Sequence, residues 1–468
     1  MRRIRFCFVL VFLLLACGNG DSDIHIGYQV TLAVPIEYTN GFIGRAFLME
    51  TDQKEPNFKA AVSVEAVNEK YSCSLEVLLA NVKVWSSGHL SRFYTTDKCM
   101  LQLTQHGDLQ LIGQDEKVGW RSGTSGQGVK RLHLLRTGNL VLVDALNLIK
   151  WQSFNFPTDV MLWGQRLSSR TRLTSFISSN NFSIFYSFEI QYDKIALYLN
   201  SGQWKYTYWE FKPSDQQQNI TYVQLTSQAL EIFSGTSHKV AEISSQNLQA
   251  QPLRFLALSN TTGNLGLYFY STDKQGFQAS YQALNTTCDF PMACKPYGIC
   301  TFSNACSCIR LGGGSSLSDC NEGISERHCG RNEAEMLELQ GITSVLRGSI
   351  PSKVNVSHEE CASLCLDDCT CVAALYSSNE TDAFYQQCFF YGMVRGVKQV
   401  ERGSKLIYMV KVPKGTHQVQ GKSSGLKRWI VILIGVVDGF IILVVLGGIG
   451  YYLIQKLRKN SLDTGHPP

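Results

Sequence analysis

The chain has 468 residues, enough at roughly 100–200 per domain for about three or four compact units. Apolar residues make up 44% and charged ones 17%, with 20 Tyr, 24 Phe and 39 Gly, a composition that excludes disorder and coiled coil and suits β-sheets with many turns. The net charge of +5 resides in arginines and lysines flanking two apolar runs, so the body of the chain is neutral and nucleic acid is excluded as a partner.

The first apolar run, Ile4 to Ala16, is opened by Arg2, Arg3 and Arg5 and is too short to span a bilayer comfortably. It reads as a secretory signal, residues 1–18, with small residues at Ala16 and Gly18 for cleavage. A lipoprotein signal presenting Cys17 is the rival reading, made redundant by a second anchor near the other end.

Between Gly27 and about Asn285 the only cysteines are Cys73 and Cys99, so this stretch needs apolar cores of its own. It reads as β throughout. From Leu132 to Asp144 the turn signal Gly138-Asn139 precedes a short strand, Leu140 to Val143, and an earlier copy runs from Leu101 to Leu111 with Gly107-Asp108 at the turn. Two copies about 31 residues apart suggest an internal repeat of a small β-unit.

These two G-[ND]-L-x-L strands, followed by W-Q-S-F-N-F-P-T-D from Trp151 to Asp159, resemble the bulb-type (G-type) lectin domain of plant S-locus glycoproteins and S-domain receptor-like kinases. Trp85-Ser86-Ser87 and Trp120 stand where related Trp-Ser repeats fall. The resemblance implies a three-fold β-prism over residues 28–164, with Cys73 and Cys99 bridged. Mannose-binding members use Q-x-D-x-N-x-V-x-Y, in which alternate residues of one strand present polar groups to the sugar. Here the first copy offers Thr104, His106, Asp108, Gln110 and Ile112, and the second Leu135, Thr137, Asn139, Val141 and Val143. Neither keeps the set, so Thr104, His106, Asp108 and Asn139 mark a degenerate site. The expectation is a fold without the mannose pocket, with Gly-Asn serving as a hairpin signal.

Residues 165–285 continue as Tyr/Phe-rich segments, Phe182 to Ile190 and Lys194 to Leu199 among them, and by position resemble the S-locus-glycoprotein part of the family, a further lectin-like β-domain. Trp204, Tyr206, Tyr208 and Trp209 form an aromatic cluster expected in a sheet core, with stacking on a sugar as the other use of such rings.

Cysteines then crowd at Cys288, Cys294, Cys300, Cys306, Cys308 and Cys320, a spacing similar to an EGF-like module over 288–320, where disulfides substitute for a core. The segment before Cys288 lacks the paired acids of calcium-binding modules, and no metal or other cofactor is expected. Leu311 to Ser318, rich in Gly and Ser, reads as a loop. The last six are Cys329, Cys361, Cys365, Cys369, Cys371 and Cys388. Ser357 and Glu360 form a capping box opening a helix, which places Cys361 and Cys365 one turn apart on one face. The run E-C-x3-C-L-x2-C-x-C from Glu360 to Cys371 resembles the PAN/apple domain of the same family, an α+β unit over 329–412. Six cysteines alone allow 15 connectivities. The resemblance implies Cys361 with Cys388, Cys365 with Cys371, and Cys369 with Cys329.

After a linker, 413–428, Ile430 to Gly450 is apolar apart from Asp438 and spans about 31 Å, close to the hydrocarbon core of a bilayer. With Trp429, Tyr451 and Tyr452 as interfacial rings it reads as a transmembrane helix, 429–452, followed by a cytoplasmic tail, 453–468. Gly435 and Gly439 form a G-x-x-x-G pair beside Asp438, a pattern for association within the membrane. The topology is single-pass type I in the plasma membrane. Fourteen cysteines and six sequons, at Asn181, Asn219, Asn260, Asn285, Asn355 and Asn379, lie on the expected extracellular side, giving a disulfide-bonded glycoprotein.

The tail is too short for a kinase, and no G-x-S-x-G elbow, H-E-x-x-H helix or P-loop appears, so no enzyme is expected. The whole resembles a kinase-lacking relative close to plant PAN domain-containing membrane proteins. Two functions follow from that resemblance: a receptor-like protein that binds an extracellular protein, peptide or glycan and acts with a receptor-like kinase or as a homodimer, or a structural tether between membrane and cell wall.

Overall fold

The structure is a computed structural model describing residues 23–53, 56–178, 181–214, 219–246, 251–309, 320, 330, 332–348, 352–378, 386–401, 406–414, 442 and 444–455. The expected signal, the loop at 311–318, Cys329, Asn379, Gly435, Asp438, Gly439 and most of the expected span lie outside these residues. Ile442 and residues 444–455 are helical, and no helix among the described residues is long and apolar enough to cross a membrane.

The first unit is built from three antiparallel sheets. One joins Ile24–His25, Val129–Leu134, Leu140–Asp144 and Ile149–Gln152; the second joins Gln29–Ala33, Lys98–Leu103, Leu109–Ile112 and Val118–Arg121. The third joins Ile43–Glu50, Phe58–Val67, Lys70–Leu79 and Val82–Ser86, with Phe93–Thr95 added on Lys70–Leu79. Strand period two puts every second side chain inward. Leu75, Val77 and Leu79, Leu109 and Leu111, and Leu140 and Leu142 are accordingly fully buried in one core. Where the three sheets converge, Trp85, Trp120 and Trp151 meet edge to face with ring centroids 5.8–6.4 Å apart, a packing worth about 0.5–1.5 kcal/mol per pair beyond burial. Cys73–Cys99 links two of the sheets, with Cα atoms 5.6 Å apart.

Gly107 and Gly138 turn two of the hairpins at φ 82° and 83°. A Cβ at Gly138 would come 2.4 Å from the Phe58 ring, so backbone conformation and space both require glycine there.

The second unit repeats the three-sheet layout. Val160–Leu162, Leu253–Leu258, Leu265–Ser271 and Gly276–Gln282 form one sheet; Arg166–Ser168, Ile220–Leu225, Ala229–Ser234 and His238–Ser244 the next. Arg172–Ser178, Asn181–Ile190, Ile195–Ser201 and Trp204–Phe211 form the third, and a short strand from far along the chain, Arg347–Gly348, pairs with its edge.

In the disulfide-rich module, Gly298–Cys300 pairs with Cys306–Cys308, and bridges join Cys288 to Cys300, Cys294 to Cys306 and Cys308 to Cys320. The PAN unit has a sheet of Ala334–Leu339, Leu406–Pro413, Ala373–Ser377, Gln387–Tyr391 and Lys353–Val354, crossed by the helix His358–Asp367. Ser357 caps this helix, its hydroxyl accepting the Glu360 amide over 3.2 Å. Cys361 bonds to Cys388 and Cys365 to Cys371; Cys369 is also disulfide-bonded.

The last three units share more than a boundary. Val397–Gln399 of the PAN unit pairs in parallel with Gly298–Cys300 and antiparallel with Ile342–Ser344. Tyr206 stacks between Trp204 and Tyr391, and its hydroxyl accepts the Gly392 amide over 2.7 Å. One apolar core therefore runs from Met161 to Val412.

Candidate functional site

The amides of Leu75, Leu109 and Leu140 donate to the hydroxyls of Ser87, Ser122 and Ser153, each over 3.0 Å. Each serine lies two residues after one of the three central tryptophans. These bonds define a three-fold repeat in which Ser74, Asp108 and Asn139 hold equivalent positions. The sequence reveals two copies; the third is disguised, because Cys73-Ser74 replaces Gly-Asn and its hairpin turns earlier, at Asn68 and Glu69, both with positive φ.

Asp108 is committed to the fold. One carboxylate oxygen accepts the amides of Gly123 (2.8 Å) and Thr124 (3.0 Å) and the Ser122 hydroxyl (2.9 Å); the other accepts the Gln110 amide group (2.9 Å). Burial by itself would raise its pKa, yet the side-chain bonds from Gln110 and Ser122 and the two backbone amides outweigh burial and hold it below the usual carboxylate range. The Thr104 hydroxyl accepts the Asp108 amide over 3.0 Å, closing the turn, while His106 points into solvent.

Asn139 is committed in the same way. Its amide nitrogen donates to Gln152 over 2.8 Å, and its oxygen accepts the Ser153 hydroxyl and the Phe154 amide, both over 3.2 Å. Val141 and Val143, two further positions of the sugar-facing pattern, are buried and apolar. The four residues singled out in sequence thus lie in two separate turns and do not converge on one pocket.

The disguised repeat carries different chemistry. Glu76, two residues beyond Ser74 on the same strand face, is fully buried and paired with Arg45 (3.1 Å) and Lys83 (2.5 Å), and Glu65 bridges Lys83 (2.6 Å) and Arg45 (3.3 Å). Burial opposes ionisation of both Glu65 and Lys83, but the attraction of Lys83 to Glu76 and Glu65, and of Glu65 to Lys83 and Arg45, prevails, lowering the Glu65 pKa and raising that of Lys83. Beside this cluster a polar cleft of about 290 Å³ opens toward the second unit, walled by Ser72, Ser74, Lys83, His89, Asp159 and Ser175. His89 Nε2 lies 2.6 Å from the Thr174 carbonyl, which can only accept, so Nε2 carries the proton. Burial raises the Asp159 pKa, with His89 opposing. The motif ending at Asp159 thus supplies one wall of an interdomain cleft, for which sequence gives no signal beyond an acid placed next to a strand.

A larger cavity, about 600 Å³, lies where the second unit, the disulfide-rich module and the PAN sheet meet. Leu375, Phe389 and Leu406 line it from the sheet face opposite the helix, Tyr208 and Leu284 from the other side. Arg347 stands exposed at its edge, and Lys398 is paired with Asp289 over 2.7 Å. Of the aromatic cluster read from sequence, Tyr206 and Tyr208 are buried in this junction, which assigns them to packing.

Residues 83–181 match the D-mannose binding lectin family and residues 340–411 the PAN domain. Among curated proteins, the chain is 24% identical over 283 residues to the PAN domain-containing protein At5g03700 of Arabidopsis thaliana, covering 58% of this chain and 56% of that one. It is 22% identical to the G-type lectin S-receptor-like serine/threonine-protein kinase SD2-5 of the same plant, covering 70% and 40%, and 24% identical to its EP1-like glycoprotein 3, covering 60% and 69%. The chain thus spans about half the length of the first of these relatives and less of the second. What aligns is the lectin and PAN part; the kinase domain is absent from the alignments. Among solved structures, the monomeric mannose-binding lectins of Gastrodia elata match at 21% identity and TM-score 0.19, over 28% of this chain and 96% of the lectin. By its family matches and curated relatives, the chain carries a segment of the D-mannose binding lectin family and a PAN domain, and over that part it is related to the plant G-type lectin S-receptor-like kinases.

Proposed function

We propose that the protein is a receptor-like recognition glycoprotein of the plasma membrane, single-pass and type I, which binds an extracellular glycan or protein and acts with a partner receptor kinase. The observation that carries this reading is the continuous core from Met161 to Val412 with a cavity of about 600 Å³ opening where its units meet. That volume lies within the roughly 300–1,000 Å³ of small-ligand sites, and its lining of apolar side chains with a few charged groups has the composition such sites share. Three units locked by shared strands would hold the cavity in one shape, as a recognition surface requires.

Recovery of the intact protein from plant membranes tests the reading. A co-purifying receptor kinase supports it; wall polysaccharide alone, with no kinase, replaces it with the tether. Substituting leucine at Gly435 and Gly439, or at Asp438, is expected to weaken kinase recovery, because close helix approach in the membrane would be lost. Arg347→Glu at the cavity edge is expected to leave kinase recovery unchanged and to impair only the response to ligand.

A further inference from the structure

We propose that the polar cleft between the two three-sheet units is the seat of the chain's own Asn260-linked glycan, whose first N-acetylhexosamine lies in it and ties the units together. Asn260 begins the sequon Asn260-Thr261-Thr262 and is exposed in the turn between Leu253–Leu258 and Leu265–Ser271. Among the exposed sequon asparagines Asn219, Asn260, Asn285 and Asn355, it alone lines this cleft. The turn is closed by other groups. The Thr262 amide donates to the Ser259 hydroxyl and the Asn264 amide to the Thr262 hydroxyl, each over 3.2 Å, and the Gly263 amide to the Ser259 carbonyl over 2.9 Å. The Asn260 side chain is thus left at the surface for modification.

The cleft suits a sugar. Its volume, about 290 Å³, is small, and its wall mixes hydroxyls with charged donors and acceptors from both units. Ser72 and Ser74 come from the first, Ser175 from the second, all three more than nine-tenths buried. The Ser175 hydroxyl has no hydrogen-bond partner among the described residues, an arrangement folded proteins rarely leave unanswered. Phe176 lines the cleft and adds apolar ring surface to the wall. The anchor stands on the second unit and most of the polar wall on the first, so a seated sugar would contact both. The inference is independent of the receptor reading, since it concerns how the units are held together.

The test uses the full chain produced in a glycosylating eukaryotic host and held in detergent. Site-by-site mass spectrometry during digestion of the native protein with a peptide N-glycosidase should show Asn260 occupied and released about tenfold more slowly, or slower still, than Asn219 and Asn285, because a seated sugar is cut only from the transiently opened state. After denaturation the three sites should release together. Asn260→Gln should lower the thermal midpoint, whereas Asn219→Gln, and Thr262→Ser, which keeps the sequon, should not. An unoccupied Asn260, release in step with Asn219 and Asn285, or an Asn260→Gln protein that melts like its parent would each overturn the proposal.

Discussion

In the lectin-like unit three sheets close around Trp85, Trp120 and Trp151 over fully buried leucines, and a single disulfide, Cys73–Cys99, spans two of them. In the PAN unit a ten-residue helix lies on a sheet with only two buried side chains, Cys361 and Cys365. A helix of that length is marginal alone, and besides its cysteines this one docks only the partly buried Ala362 and Leu364. Its cysteines do what leucines do elsewhere. The two regions teach that a disulfide matters most where it replaces packing, and least where it supplements packing.

The sharpest way to break that comparison is to remove one bridge from each region. Cys361→Ala should free the helix from Gln387–Tyr391, leave a lone thiol on Cys388 and cost about 2–5 kcal/mol, enough to keep the protein from the cell surface. Replacing Cys73 and Cys99 together by alanine should cost about 3 kcal/mol by loop entropy, yet leave a folded lectin-like unit, because its core persists. Surface delivery of both proteins, read by labelling of intact cells, checks the contrast. Normal delivery of the Cys361 variant would show that the PAN helix is held by something besides its cysteines.

A second perturbation stays within the lectin-like unit. Asp108→Ala should leave the donors at Gln110, Ser122, Gly123 and the buried Thr124 without this acceptor and cost about 1–3 kcal/mol. Because the folded-state pKa of Asp108 is lowered, its contribution is complete above the unfolded value near 4 and is lost as pH falls through the folded value. Asp108→Asn, which installs the residue that the next repeat uses at Asn139, should be milder and should flatten the acid limb of stability. Melting midpoints between about pH 2 and 6 would show whether that limb belongs to this carboxylate.

Sequence made legible whatever depends on local signals. The Gly138-Asn139 turn, the Ser357 cap and the cysteine spacings each act over a few residues, and the structure places a hairpin, a helix start and bridges there. What escaped was long-range or disguised. The repeat through Leu75 lacks the glycine because its hairpin turns at Asn68-Glu69, so only the Ser87 bond to the Leu75 amide reveals it. The join between second unit and PAN sheet rests on the two-residue strand Arg347–Gly348 and on Tyr206 against Gly392, with no periodicity to announce either. Tyr206→Phe tests that join. The Gly392 amide would lose its acceptor, costing about 1 kcal/mol, and hydrogen exchange should rise at Gly392 while the lectin-like unit is unaffected.

The smallest expected effect concerns sugar itself. The match at residues 83–181 is to a D-mannose binding family, so the default assumption would be mannose binding. The geometry argues otherwise. A mannose site needs several side chains on one strand face with hydrogen-bonding capacity to spare. Here the Asp108 carboxylate already accepts four bonds and the Asn139 amide group three, while the flanking Val141 and Val143 are buried hydrocarbon. A mannose seated at either of these two positions would have to displace bonds that hold the turns, exchanging stability for affinity. Titration calorimetry of the intact protein with mannose should therefore give no heat beyond dilution. Sub-millimolar binding lost in Asn139→Ala, with the thermal midpoint of that variant preserved, would mean that the asparagine serves sugar and not the turn, and that the repeats diverged in role less than their hydrogen bonds indicate.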